Sequence, residues 1–409
     1  MQHRLVVCCL ASFGCASASV FDASTTAGAA TASNHFGFDL YARAKVPDGN
    51  VICSPASASI ALTMASAGAQ GETQAEMMRV LHLDAQTLAV AHVSFANLLA
   101  ALNGRNGKDG VALSVANRLW GQRDLEFRSD FLSLLAVRYH APLGQLDFLH
   151  DSDAARLTIN QWASHETHGR INDLLPPGFV NDRTRLVLTN AVYFKGKWQK
   201  PFNEAATFDG PFLTPHGKVT TKLMSQEDGF AYARADGAQI LELPYAGGLS
   251  MIVVLPEAAD GLAAVEDRIG SHYDRWVAQL QPREVNLWLP RWTTTSTLSL
   301  ADTLNEMGMP LAFDEHQADF LGMADAEALA KFPNLPRLFI AQVLQQAFIE
   351  TNEKGTEATA VTAIGMEQPI SYEEGPKPVV FHADHPFLYL IRETATGAIL
   401  FIGRVVDPR

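Results

Sequence analysis

The spacing of apolar positions changes part-way along the chain. From Asn34 onward they recur at helical intervals, with Phe36, Leu40, Ile60, Leu62 and Met64 in such segments and Gly104 to Gly110 as a loop between two of them. After about residue 180 extended patterns become frequent. Leu186 to Phe194 is nearly all apolar, as expected for a strand buried on both faces. Leu249 to Leu255 is similar and ends at Pro256, Val285 to Leu289 alternates before Pro290, and Phe339 to Glu350 is another long extended candidate. Phe387 to Ile391 and Ile399 to Val405 read as a closing pair around Thr396-Gly397. No internal repeat and no Pro/Gly linker splits the chain, so the pattern predicts one mixed helix-and-sheet domain of the α+β class over residues 34 to 409.

The stretch from Asn352 to Lys377 breaks this pattern. It opens Asn352-Glu353-Lys354-Gly355 and closes Glu373-Glu374-Gly375-Pro376-Lys377-Pro378, so its flanks mark a long exposed loop, and such loops are usually functional. Its interior reads as a strand instead. At a period of two, one face carries Thr356, Ala358, Ala360, Thr362, Ile364 and Met366, with no charge and four small residues first. The other carries Glu357, Thr359, Val361, Ala363, Gly365 and Glu367. A loop with one face fit for a tight sheet suggests a segment able to move from solvent into that sheet.

Composition narrows the class. Of the 409 residues, 47% are hydrophobic and 18% charged, which is globular, and a net charge of −13 without a long basic run argues against nucleic acid as a partner. No later run of eighteen uncharged apolar residues predicts a membrane span. Residues 1 to 18 read as a signal peptide: Arg4, the apolar core Leu5 to Phe13, then Ala16-Ser17-Ala18 before a cut. Export to the outside or to a periplasm follows, with a lipid anchor at Cys15 as the alternative. The Ala/Ser/Thr-rich residues 19 to 33 read as a flexible leader. Cys8, Cys9 and Cys15 lie within the signal, which leaves Cys53, unable to form an internal disulfide and read as a buried small hydrophobe.

Enzymatic readings are weak. His165-Glu166-Thr167-His168 is one residue short of a zinc-protease motif and reads as a solvated helix end. His382, Asp384 and His385 sit beside a strand start, where local hydrogen bonding accounts for them better than a metal. Ser54 precedes a proline without nucleophile-elbow glycines. No catalytic set, metal or cofactor is assigned.

Asn352-Glu353-Lys354-Gly355-Thr356-Glu357-Ala358 resembles the reactive-loop hinge of serpins. Further blocks resemble the family in the same order along nearly the whole chain: Asn50-Val51-Ile52-Cys53-Ser54-Pro55 with Ser57; Gly68-Ala69-Gln70-Gly71-Glu72-Thr73; Thr189-Asn190-Ala191-Val192-Tyr193-Phe194-Lys195-Gly196-Lys197-Trp198; Ala383-Asp384-His385-Pro386-Phe387; and Phe401-Ile402-Gly403-Arg404-Val405. The resemblance implies a large central mixed β-sheet, further sheets, about eight to nine helices and an exposed reactive-centre loop near 353–379. It also implies a suicide inhibitor of a serine protease. The target would form a covalent acyl complex with the cut loop, and the loop would then enter the main sheet; a monomer without catalytic group or cofactor is expected.

Particular residues follow from the resemblance. Glu353, Gly355, Thr356, Glu357, Ala358 and Ala360 would form the hinge. Ser54, Ser57, Asn190 and Gln345 would lie at the central opening of the main sheet, and Trp198 where the loop enters it. Gln345 departs from the family, which usually carries a histidine there. Ile370-Ser371 is the favoured reactive bond, with Met366-Glu367 and Tyr372-Glu373 as alternatives, because proline spoils the bonds at Pro369. No Lys or Arg lies between Gly355 and Pro376, so elastase-, chymotrypsin- or subtilisin-like targets fit better than trypsin-like ones. The rival reading is a family member that binds or builds without inhibiting; the small, uncharged Thr356, Ala358 and Ala360 favour inhibition.

Overall fold

A computed structural model of the chain describes residues 25–46, 48–84, 88–332, 337–356 and 377–409. Among these residues ten α-helices form: α1 Thr26–Ala44, α2 Pro55–Ser66, α3 Gly71–Val80, α4 Leu88–Asn103, α5 Ser129–Arg138, α6 Ser152–Glu166, α7 Leu262–Glu266, α8 Ile269–Ala278, α9 Ala301–Met307 and α10 Ala326–Ala330. The strands are β1 Val51–Cys53, β2 Ala112–Gln122, β3 Gly144–Leu146, β4 Leu186–Lys197, β5 Phe208–Thr214, β6 Gly217–Ala235, β7 Ala238–Tyr245, β8 Leu249–Pro256, β9 Gln281–Pro290, β10 Trp292–Ser299, β11 Gln342–Asn352, β12 Gly355–Thr356, β13 Val379–His382, β14 Phe387–Glu393 and β15 Ile399–Val405. The extended segments expected after residue 180 fall in these strands, except that Phe339 to Ala341 precede β11, which starts at Gln342.

Two sheets carry the architecture. One runs β1-β15-β14-β8-β7-β6-β9-β13, with β5 added on β6, and the other runs β10-β11-β12-β4-β2-β3. The second is mixed: β11 lies parallel to β4, whereas β2 and β10 are antiparallel to their neighbours β4 and β11. The apolar run of β4 is explained by burial on both faces. Leu186, Leu188, Val192 and Phe194 point into the main core, while Val187 joins Trp120, Phe148, Ile159 and Ala163 beneath α6. Helix α2 is buried over its whole length, and Pro55 supplies its first turn, where no N–H is required.

The leader reading needs correction over its second half. Helix α1 starts at Thr26, where the Thr25 hydroxyl accepts from the Gly28 N–H at 3.0 Å, and Ala29, Ala30, Ala32 and Ser33 are buried. The small residues that suggested flexibility are those that let this helix pack closely. Residues 1–24 lie outside the described chain, as do Glu357, Ala358, Ala360, Ile370 and Ser371.

Candidate functional site

The site is a seam in the six-stranded sheet. Strands β11 and β4 pair directly from Gln342↔Val187 to Ala347↔Val192. Beyond Ala347 they part, the chain turns at Glu353-Lys354, and Gly355–Thr356 returns between them as β12. Thr356 stands opposite Thr351 on β11 and Gly196 on β4, and Gly355 opposite Asn352 and Lys197. The sheet therefore begins to accept an added strand at this end. Glycine is required for the return: Gly355 has φ +142, and a Cβ there would lie 2.0 Å from the Gly196 carbonyl oxygen. Gly196 is equally confined, since its own Cβ would meet the Phe194 ring at 2.5 Å.

Side chains around the turn fix this arrangement. Thr356 is fully buried, and its hydroxyl lies 2.7 Å from the Tyr245 hydroxyl. Tyr245 stacks on Trp198 with centroids 4.3 Å apart, and the Trp198 indole N–H donates to the Asn352 carbonyl at 2.9 Å. Glu353 is 3% exposed, takes the Arg291 guanidinium at 2.8 Å and also accepts from the Thr207 hydroxyl. Burial alone would push its carboxyl up, but the bonds from Arg291 and Thr207 outweigh that and hold it below the usual range. Its contribution to stability is therefore present above the ordinary carboxylate range and is lost as pH falls through the lowered value.

Lower in the seam, five polar side chains gather beneath β11 and β4. Gln345 is fully buried. Its Oε1 accepts from the Ser54 N–H at 2.7 Å, and its Nε2 donates to the Ser54 carbonyl at 2.9 Å and to Asn190 Oδ1 at 2.8 Å. Asn190 Nδ2 donates in turn to Ser57 and to Asn117 Oδ1, which also accepts from Ser57 at 3.1 Å. Ser54, Ser57, Asn190 and Gln345 thus lie together, with Trp198 at the upper end of the seam. Glutamine makes three bonds where a histidine has only two ring nitrogens, and the Ser54 hydroxyl is left without a partner. The Gln345–Asn190 bond spans the two strands that must separate if a strand enters. Gln345→Leu would leave the Ser54 N–H and the Asn190 oxygen buried and unpaired, while the Ser54 carbonyl keeps its bond from the Ala58 N–H. It should destabilise the uncleaved protein by roughly 3 kcal/mol or more, read as a lower denaturation midpoint; an unchanged midpoint would show that the network adds nothing.

Sequence reading missed Asn117, Arg291 and Thr207, which come from distant elements and stand in no motif; Tyr245 belongs to Leu243-Pro244-Tyr245, a further block that resembles the family, but was given no role at the seam. The rival motifs are accounted for locally: His385 lies 2.8 Å from Asp384 and 2.8 Å from the Pro256 carbonyl, and His165 pairs with its neighbour Glu166. Cys53 is buried, and burial pushes its thiol up, away from nucleophilic use.

The family model described as Serpin (serine protease inhibitor) matches residues 31–408. The chain is a serpin. It is 38% identical over 390 residues to the leukocyte elastase inhibitor of Xenopus tropicalis, covering 92% of this chain and 99% of that one. Among solved structures, human thyroxine-binding globulin in complex with thyroxine aligns with a TM-score of 0.82 at 28% identity, over 94% of this serpin and 99% of that chain. A serpin of Arabidopsis in its native stressed conformation aligns with a TM-score of 0.79 at 31% identity, over 94% and 98%. This serpin is a protease inhibitor by family and not a catalytic enzyme. No described helix is long and apolar enough to cross a membrane.

Proposed function

We propose that this serpin is a suicide-substrate inhibitor of serine-type endopeptidases with elastase-, chymotrypsin- or subtilisin-like pockets. The observation that carries the reading is the short strand Gly355–Thr356, paired on both sides within the seam ahead of a segment whose Thr356 face is small and uncharged as far as Thr362. A protease attacks the loop as a substrate and forms an acyl-enzyme with the residue before the cut. The freed chain then continues the strand already begun. Extending the present register, Ala358 would face Phe194, and Ala360 would face Val192. Thr362 would arrive between Gln345 and Asn190, where its hydroxyl replaces the bond that insertion breaks. The relatives named leukocyte elastase inhibitors support an elastase-like target. Incubation with a panel of serine proteases should give complexes stable in denaturing gels; cleavage of the loop with full release of every protease would refute the reading.

Ile370-Ser371 is the proposed reactive bond, with Ile370 read by the primary pocket of the target. Ile370→Arg should then move inhibition toward trypsin-like enzymes by about a hundredfold or more in rate, since their pocket demands a positive side chain. If Met366→Arg produces that shift and Ile370→Arg does not, the bond lies after Met366. The first eighteen residues support export as a signal peptide, and the protein is proposed to act outside the cell or in a periplasm, as a monomer.

A further inference from the structure

Strand β4 begins at Leu186, and the residue before it is Arg185. The backbone ladder already reaches this end of the sheet. The Gln122 N–H donates to the Arg185 carbonyl at 3.0 Å, and the Ala341 N–H donates to the Leu186 carbonyl at 2.9 Å. Arg185 is only 4% exposed. Its Nη1 donates to the Asp182 carbonyl at 2.8 Å and to the Thr184 carbonyl at 2.6 Å, whereas Nε and Nη2 are buried without a partner. Those two nitrogens share one edge of the guanidinium, the edge that takes a carboxylate through two parallel bonds. No carboxylate among the described residues takes it. A buried cation left open on that edge is costly, and an incoming carboxylate would relieve the cost.

The register names the occupant. Gly355 stands opposite Lys197 and Thr356 opposite Gly196. Continued one for one, this antiparallel pairing brings Glu367 opposite Arg185, with the apolar Ile340 on the β11 side. The faces agree as well. Arg185 stands two residues before Val187, whose side chain lies beneath α6. Glu367 belongs to the loop face opposite the buried Thr356 face, so on entry it too would stand on the α6 side. We propose that Arg185 is the terminal lock of the inserted strand, its open edge taking the Glu367 carboxylate as the last loop residues enter. With the cut after Ile370, three residues separate the lock from the acyl bond, about 10 Å of extended chain. The lock therefore holds the trapped protease hard against this end of the fold and denies it the slack in which to recover. This inference rests on the insertion reading above.

A nick of known position tests the lock. Trypsin can cut an Ile370→Arg loop at one place only, because no other Lys or Arg lies between Gly355 and Pro376. The cut then falls beyond Glu367 whichever bond the natural target takes, and mass spectrometry of the fragments confirms it. In this nicked protein Glu367→Gln should lower the calorimetric midpoint by about 2 °C or more, the worth of a charge-assisted bond in a chain this long. The midpoint of the uncut protein should not move, since the lock forms only on insertion. With Arg185→Gln already in place, Glu367→Gln should cost the nicked protein nothing further. In the acyl complex with whichever serine protease the natural loop traps, Glu367→Gln should shorten the life of the complex by about threefold or more, read as protease activity regained with time. A nicked midpoint indifferent to Glu367→Gln, or a loss that persists undiminished beside Arg185→Gln, overturns the pairing. A lowered midpoint with an unchanged complex lifetime overturns its role in holding the protease. An Ile370→Arg protein whose midpoint does not rise at all on nicking overturns insertion itself, and the lock with it.

Discussion

Proteolysis of the loop between Ile364 and Tyr372 is expected to raise the thermal unfolding midpoint of the protein. A nick normally destabilises, because it frees chain ends and adds entropy to the unfolded state. Here the seam above Ala347 is already parted, and β12 satisfies only its first two register positions. The freed segment can fill the rest of the parted stretch with Glu357 to Thr359 and, from Ala360 to about Met366, replace the direct β11–β4 pairs by pairing with β11 on one side and β4 on the other. On the order of ten ladder bonds at roughly 1 kcal/mol each, with the Thr356 face buried against the core, oppose the entropy of ordering the strand. If about half of that survives, the midpoint of a chain this long rises by on the order of 5 °C or more, since each net kcal/mol shifts it by about 1 °C. Calorimetry on intact and nicked protein decides the matter: an equal or lower midpoint after a confirmed cut means that the strand does not enter.

Much of this arrangement is legible in the sequence, and the limits of legibility have physical causes. The nearly continuous apolar run of β4 is a local pattern, so that strand can be read from spacing alone; the alternation after Gly355 is equally local, but beyond Thr356 it falls outside the described residues. Thr356 is buried as that spacing requires. Helix α1 was harder, because Ala29, Ala30 and Ala32 carry little hydropathy; their smallness reads as flexibility until a packing partner is known. The polar network under the seam was half visible. Ser54, Ser57, Asn190 and Gln345 sit in blocks that resemble the family, but Asn117 lies on an alternating strand like many others. The Arg291–Glu353 pair joins residues 62 positions apart, and nothing local marks either as the other's partner. The register places Gln345, Asn190 and, on insertion, Thr362 at one level of the sheet, a coincidence that only the pairing of three strands reveals.

Thr356→Arg is expected to turn the inhibitor into a substrate. Thr356 carries the first loop side chain held between β11 and β4; that side chain is fully buried, and its hydroxyl is bonded to Tyr245, which stacks on Trp198. An arginine there would set a charge against the Phe194 and Tyr245 rings with no carboxylate directly opposite, since Gly196 and Thr351 are its cross-strand neighbours. Burying an unpaired charge costs several kcal/mol, and Tyr245 would lose its partner as well. The variant should therefore keep Gly355–Thr356 out of the seam, and insertion would have to drive the guanidinium in before anything else follows. Hydrolysis of the acyl-enzyme does not depend on Thr356 and continues at its own rate. A penalty of about 3 kcal/mol on the first step of insertion slows it roughly a hundredfold, which lets deacylation win. The number of inhibitor molecules consumed per protease should then rise from near one to many, with active protease recovered and the loop cut. Glu357→Ala is the matched control, because alternation puts that residue on the opposite face, and its number should stay near one. A Thr356→Arg protein that still inhibits near one-to-one would exclude insertion through this seam as the trapping step.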